Sequence, residues 1–489
     1  MASGLTRWDW RRPPAILVTL AAMLVALAVN HAGYRGGGAD DWHYLEAARC
    51  AAAQHGLCVP QSHWWTRFPL VAPMAVAVAL GGESRLSVGI VPLLYAALAL
   101  VLLALLVERR FGRAEAIVAG VMMATLPTVS LVLLQPNVDT AELAFTLGAL
   151  LMLQSAASSG RSRHALAAGA LLGLAILTRP SALALLPIAA LVCAATPALR
   201  RLALPAALGL AAPLAAEAIA AWLWTGDPLH SWALSLGHTD IPSAELPAGF
   251  HSARGPLLNP DYISAWRPAM GIRVHWTIDP ILNLLANPAM GTLLIAALLL
   301  LTLRRPSPRD AEGRTLLWLL GAAILYFGAI TYAFAIDPKP RMFLPVAAAA
   351  ATIFAVQAVS SWRAGSRALV GTIAAVAIIF SLSYAAAIPD LRDLEAPAGQ
   401  WVRELGPTLA VDDASRRFLT LVPGVRALPV DPPGAQRYMI VALGPCTDVA
   451  RFRAGWQVER ASALATASGE QASLCLFRRS EGPAAALPR

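Results

Sequence analysis

The chain has 489 residues, 57% of them hydrophobic and only 14% charged. A soluble protein of this size needs about a quarter of its residues charged, so lipid is the solvent for most of this surface. The formal net charge of +9 does not point to nucleic acid. The arginines sit in short loops between apolar runs, where the positive-inside rule accounts for them, and Lys339 is the only lysine.

In chain order, apolar runs fall at 14–31, 86–107, 115–134, 139–157, 165–178, 181–196, 202–222, 289–303, 315–336, 342–360 and 368–387. A helical crossing takes about 20 apolar residues, and these runs are continuous rather than alternating, which excludes a transmembrane β-barrel. The expected fold is an all-α polytopic membrane protein with about eleven transmembrane helices. Arg7, Arg11 and Arg12 place the N-terminus in the cytoplasm. The clusters at Arg109–Arg113, Arg161–Arg163, Arg200–Arg201, Arg304–Arg314 and Arg363–Arg367 follow on the same side. The first run, with Ala26-Leu27-Ala28, also reads as a cleavable signal peptide. Either reading leaves the downstream orientation unchanged.

Three segments then lie outside: a first loop at 32–85, a second at 223–288, and a tail at 388–489 that follows the membrane part at 1–387. The first loop carries Trp64-Trp65, rings suited to a membrane interface. In the tail, TLAVD (408–412), RYMIVAL (437–443) and SLCLF (473–477) read as short strands, with a helix near 413–420 between the first two. The tail is thus expected to be a small extracytoplasmic α/β domain. Cys50 and Cys58 share the first loop and Cys446 and Cys475 share the tail, so four of the five cysteines form two local pairs on the oxidising side. They read either as two disulfides or as free, buried thiols. No zinc-site spacing occurs, and isolated carboxylates do not define a coordination shell, so dependence on a divalent metal stays open.

Two adjacent carboxylates, Asp40 and Asp41, follow the first run. If 39–50 is helical, Asp40, His43 and Tyr44 share one face, and Asp41 turns towards Leu45 and Arg49. Asp139 stands where a later span begins. Asp40 and Asp139 read either as helix N-caps or as an acid–base pair on one membrane face. Lys339 and Arg341 are outer-side cations, suited to an anionic headgroup or to snorkelling. Packing or interfacial placement accounts for His43 better than an acceptor pocket does.

These segments, taken in order, resemble a family. ADDWHYLEAAR (39–49), TRFPLVAPMAVAVALGGESRL (66–86), PNVDTAELAFTLGALLML (136–153), GLAILTRPSALALLP (173–187) and PRMFLPVAAA (340–349) are similar to motifs of the GT-C glycosyltransferases. The resemblance is strongest to protein O-mannosyltransferases and lipid A aminoarabinose transferases, and it runs through residues 1–387. Departures are an Asp-Asp pair where Asp-Glu is common, and a tail that matches no known domain.

The resemblance implies an inverting transferase that moves a sugar from polyprenyl phosphate to a hydroxyl of an envelope glycolipid, polysaccharide or protein. The setting is the outer face of the plasma membrane. It makes Asp40 the base and Asp139 the second acidic site, with Asp41, His43 and Tyr44 near the acceptor. Arg341, with Lys339, Arg67 or Arg179, would hold the donor phosphate. No cofactor is implied; the partners are membrane lipid, the lipid-linked donor and the acceptor. A flippase for a lipid-linked glycan is the rival, but its spans should carry polar residues along a path. Glu115, Glu142 and Glu217 are the main such residues, and all lie near span ends. A non-catalytic scaffold is the weaker rival.

Overall fold

The computed structural model describes residues 14–30, 39–237, 272, 274–333, 340–387, 391–450, 455–465 and 471–480. Helix dominates. We label the longer helices α1 (Ala15–Val29), α2 (Ala39–Gln54), α3 (Phe68–Gly81), α4 (Arg85–Arg110), α5 (Arg113–Thr125), α6 (Val138–Ser159), α7 (Ser162–Thr178), α8 (Leu185–Ala195) and α9 (Ala203–Thr225). There follow α10 (His230–Gly237), α11 (Asp279–Ala286), α12 (Gly291–Leu303), α13 (Ala311–Gly328), α14 (Leu344–Arg363) and α15 (Arg367–Ala387).

Every apolar run seen in the sequence contains helix, yet among the described residues only six helices are long and apolar enough to cross a membrane. The bent pair α11 and α12, 102° apart, makes a seventh if counted as one span. The helices α1, α7 and α8 are shorter apolar pieces. The run at 115–134 is not one helix, because Pro127 follows the end of α5 and has no N–H to continue it. The chain is a multi-pass helical membrane protein, and among the described residues the eleven apolar runs do not each form one long helix.

The helix α14 runs through the middle of the bundle, with 83% of its apolar window buried. Phe343, Leu344, Ala351 and Phe354 are completely enclosed there. Elsewhere in the bundle, α7 and α9 pack at backbone contact. A Cβ on Gly169 would overlap the Ala206 carbonyl, and one on Gly209 would overlap that of Leu166. Small residues permit this approach, and between apolar helices close packing replaces the hydrophobic drive that water supplies. At one end of the bundle Arg363 meets Glu115 at 2.9 Å, and Arg110 donates to the Ala311 carbonyl at 2.6 Å. The expected cytoplasmic clusters lie at this end of their helices. Asp40 and Asp139 lie at the other.

The tail builds a four-stranded sheet in the order β1-β2-β4-β3, with β1 (Leu409–Val411), β2 (Arg437–Leu443), β3 (Trp456–Ala465) and β4 (Gln471–Arg479). The first pair is parallel and the others antiparallel. Helices α16 (Glu395–Leu405) and α17 (Asp413–Phe418) cover it, with Trp401, Leu409 and Met439 in the core. The strand β3 is absent from the sequence reading. It is an edge strand carrying Glu459 and Arg460, and such charges blunt both the hydrophobic alternation and unwanted pairing. Cys446 is bonded to Cys475 across 5.6 Å between Cα atoms.

The sheet domain meets the bundle through Glu83, in the α3–α4 turn. Its carboxylate accepts from Arg49 at 2.8 Å and from Arg426 at 2.7 Å, while Arg85 pairs with Glu395. Burial pushes the Glu83 carboxyl up, but the bonds from Arg49 and Arg426 outweigh that and hold it below its ordinary value. A depressed folded pKa gives stability that is complete above the unfolded value, near 4.3, and is lost as pH falls through the folded one. The thermal stability of wild type should therefore exceed that of Glu83→Gln at neutral pH, with the difference vanishing in acid. A difference that stays constant down to the acid limit contradicts this.

Candidate catalytic site

Asp40 lies inside the first turn of α2, where two acidic residues favour the positive end of the helix dipole. Its Oδ1 accepts from Trp64 Nε1 at 2.8 Å, and its Oδ2 pairs with Arg341. Trp64 is thus buried against α2. Arg341 stands on a short 3-10 turn, Pro340–Phe343, that leads into α14. Its Nε lies 3.5 Å from Asp139 Oδ2.

Asp139 is 3% exposed, and it does not cap its helix. Asn137 does that, accepting from the Thr140 N–H at 3.0 Å, which leaves Asp139 in the first turn of α6 with its carboxylate turned to cations. One is Arg341; the other is Arg179, whose Nη1 pairs with Asp139 Oδ1. Arg179 ends α7 in extended backbone because Pro180 follows it. Its Nη1 lies 3.9 Å from Glu142, which sits one turn beyond Asp139 on the same face of α6 and is 1% exposed. Glu142 in turn accepts from the Tyr326 hydroxyl at 2.7 Å.

A continuous chain of charge results: Asp40, Arg341, Asp139, Arg179, Glu142 and Tyr326. It joins α2, α6, α7, α13 and the entrance of α14. Sequence reasoning missed Glu142, Tyr326 and Trp64 as members. The i, i+3 spacing of Asp139 and Glu142 was the available signal for the first.

The remaining candidates take other positions. Arg67 is buried beside this chain, bonded to Tyr44 and donating to Ser235 Oγ at 3.2 Å. Among the described residues no carboxylate forms an ion pair with it. Burial pushes its guanidinium down, so an incoming anion is favoured there. Tyr44 is buried, and its hydroxyl is pushed well above its ordinary range by burial and then by Asp40, so it stays protonated. His43 stacks on Trp64 with ring centres 3.9 Å apart. Asp41 is buried behind Asp40. Lys339 lies outside the described residues. Cys50 is bonded to Cys58, tying the end of α2 to the loop that carries Trp64. Among the described residues no three of His, Cys, Asp and Glu converge as metal ligands do.

Directly beneath the charge chain opens an apolar groove of about 360 Å³, walled by α4, α6, α8, α13 and α14. Leu143 and Tyr326 line its end nearest the charges, and Arg110 and Thr315 line the far end. From Thr315 to Tyr326 along α13 is roughly 16 Å at helical rise.

Residues 69–224 match the family model for dolichyl-phosphate-mannose-protein mannosyltransferase. Among solved structures, the chain is similar to ArnT from Cupriavidus metallidurans bound to undecaprenyl phosphate. The TM-score is 0.52 at 16% identity, over 94% of this chain and 97% of that one. It is also similar to the oligosaccharyltransferase AglB from Archaeoglobus fulgidus, in complex with an inhibitory peptide and a dolichol-phosphate. There the TM-score is 0.52 at 14% identity, over 86% of this chain and 61% of AglB. No curated protein sequence matches significantly. The fold is therefore the GT-C glycosyltransferase fold. Within it the chain is similar to the polyprenyl-phosphate-dependent transferases of the protein O-mannosyltransferase and aminoarabinose transferase kind.

Proposed function

We propose that the protein is an inverting glycosyltransferase that moves a sugar from polyprenyl phosphate to a hydroxyl of a cell-envelope acceptor, on the outer face of the plasma membrane. One observation carries the reading: a carboxylate–guanidinium chain stands at the head of an apolar groove. The groove suits an isoprenoid tail, and Arg67 and Arg341 suit the phosphate at its head. Asp40, on the membrane-domain loop at 32–85, takes the proton of the acceptor hydroxyl. The hydroxyl oxygen attacks the anomeric carbon from the face opposite the phosphate. The carbon–oxygen bond to phosphate breaks, and polyprenyl phosphate leaves with the electron pair. The cations offset the charge that grows on the departing phosphate. Asp139 orients Arg341, and Tyr44 stays protonated to donate a hydrogen bond towards the acceptor.

The two disulfides favour an oxidising compartment for this face, and the arginine clusters at the opposite helix ends favour a cytoplasmic one there. An odd number of crossings accommodates both. The test is mass spectrometry of envelope glycans from a deletion strain complemented with wild type or Asp40→Asn at equal membrane levels. One sugar mass should vanish on deletion and return only with wild type. Full restoration by Asp40→Asn removes Asp40 as base and favours transport of a lipid-linked glycan instead.

A further inference from the structure

We infer that the C-terminal sheet domain is a positioning element for the catalytic helix, acting through Arg416 on Trp42. This rests on the reading of Asp40 as base. At 100° per residue, Trp42 lies on the far side of α2 from Asp40, and Tyr44 returns to the Asp40 face. One face therefore meets the site. The opposite face meets the tail.

That opposite face is built for contact. The Arg416 guanidinium of α17 sits 5.6 Å from the Trp42 ring centre, and Arg49 of α2 itself sits 5.3 Å from it. Both distances fall within the reach of a cation–π interaction. Trp42 is buried between them. Arg416 is aimed by Asp413 at 3.2 Å, and α17 is capped by Asp412, whose carboxylate accepts from the Ser415 N–H at 3.1 Å. Arg49 also donates to Thr420 Oγ1 at 3.3 Å, and Leu45 is fully buried among Val78, Val88 and Leu421. On its other flank α2 packs Tyr44, Ala47 and Ala48 against Leu70, Val71 and Met74 of α3.

The helix that carries Asp40 is thus held between α3 and a domain more than 300 residues later in the chain. Arg341 and Trp64 fix the carboxylate itself, but the axis of α2 is set by these two flanks. A displacement of about 1 Å at a reacting group lowers a rate by as much as ~100-fold, so a small tilt of α2 is enough to matter. Arg416 touches no reacting group; it positions one that does.

The experiment uses full-length protein and three variants: Arg416→Ala, Arg416→Lys and Asp40→Asn. Purified proteins in nanodiscs are assayed for undecaprenyl phosphate binding, and complemented deletion strains for glycan occupancy at limiting, equal expression. Arg416→Ala should bind the lipid within about 2-fold of wild type while occupancy falls about 10-fold. Arg416→Lys, which keeps a cation over the ring, should restore occupancy. Wild-type occupancy in Arg416→Ala overturns the inference. So does a parallel loss of lipid binding and occupancy that lysine does not rescue, because that marks a general structural role. If Arg416→Ala is silent while Asp40→Asn is inactive, only the positioning role falls. If Asp40→Asn is fully active, the base assignment falls and this inference with it.

Discussion

Arg341→Ala should lower sugar transfer about 100- to 1,000-fold, the loss typical of removing a single preorganised donor from a developing anion. No other cation among the described residues touches both candidate catalytic carboxylates: it pairs with Asp40 and lies 3.5 Å from Asp139. On the proposed reading its removal strips the donor phosphate of a guanidinium fork, and it releases the Asp40 carboxylate from its fixed orientation. Arg341→Lys should recover only part of the rate, since an ammonium is a point charge and cannot bridge two planar groups. The measurement is glycan occupancy beside undecaprenyl phosphate affinity. Full activity in the lysine variant would mean that charge alone matters at this position and that the fork does not.

Arg179→Leu should act on stability instead, by about 3–5 kcal/mol. Asp139 and Glu142 are 3% and 1% exposed, and Arg179 reaches both. Taking away the shared cation leaves buried negative charge uncompensated, and such charge costs more than the ion pair itself contributes. Adding Glu142→Gln to Arg179→Leu should restore part of the loss, because a neutral amide still accepts from the Tyr326 hydroxyl. Thermal unfolding of the purified variants reads this directly. Unchanged stability with weakened lipid binding would make Arg179 a donor ligand rather than the cation that holds α6 and α7 together.

Much of this arrangement is legible in the sequence, for physical reasons that also mark where legibility stops. Apolar runs show themselves because lipid demands them, and Asp40, Asp139, Arg179 and Arg341 show themselves as charges at run ends. The structure brings those four together from positions up to 301 residues apart. Glu142 and Tyr326 escaped because a carboxylate near a span end has a cheaper explanation than a buried partner, and nothing in a single sequence pairs residues 184 apart. The capping role passed from Asp139 to Asn137 because both are good caps two residues apart, and only backbone geometry chooses between them. The eleven apolar runs do not each give one long helix for a related reason: hydropathy measures composition, whereas Pro127 and the bend between α11 and α12 break the helices that composition suggests. The sheet domain's grip on Trp42 has no sequence signature, because neither Arg416 nor Trp42 is unusual where it stands.

The most direct test of Asp40 as the base of an inverting transfer uses the purified protein in nanodiscs. The sugar lost from the deletion strain is supplied as its polyprenyl-phosphate conjugate, with the acceptor identified from the same glycans. Anomeric configuration is read by NMR. Wild type should release polyprenyl phosphate and form product of inverted configuration, while Asp40→Asn binds the donor and forms none. Product of retained configuration, or equal turnover by Asp40→Asn, would contradict it.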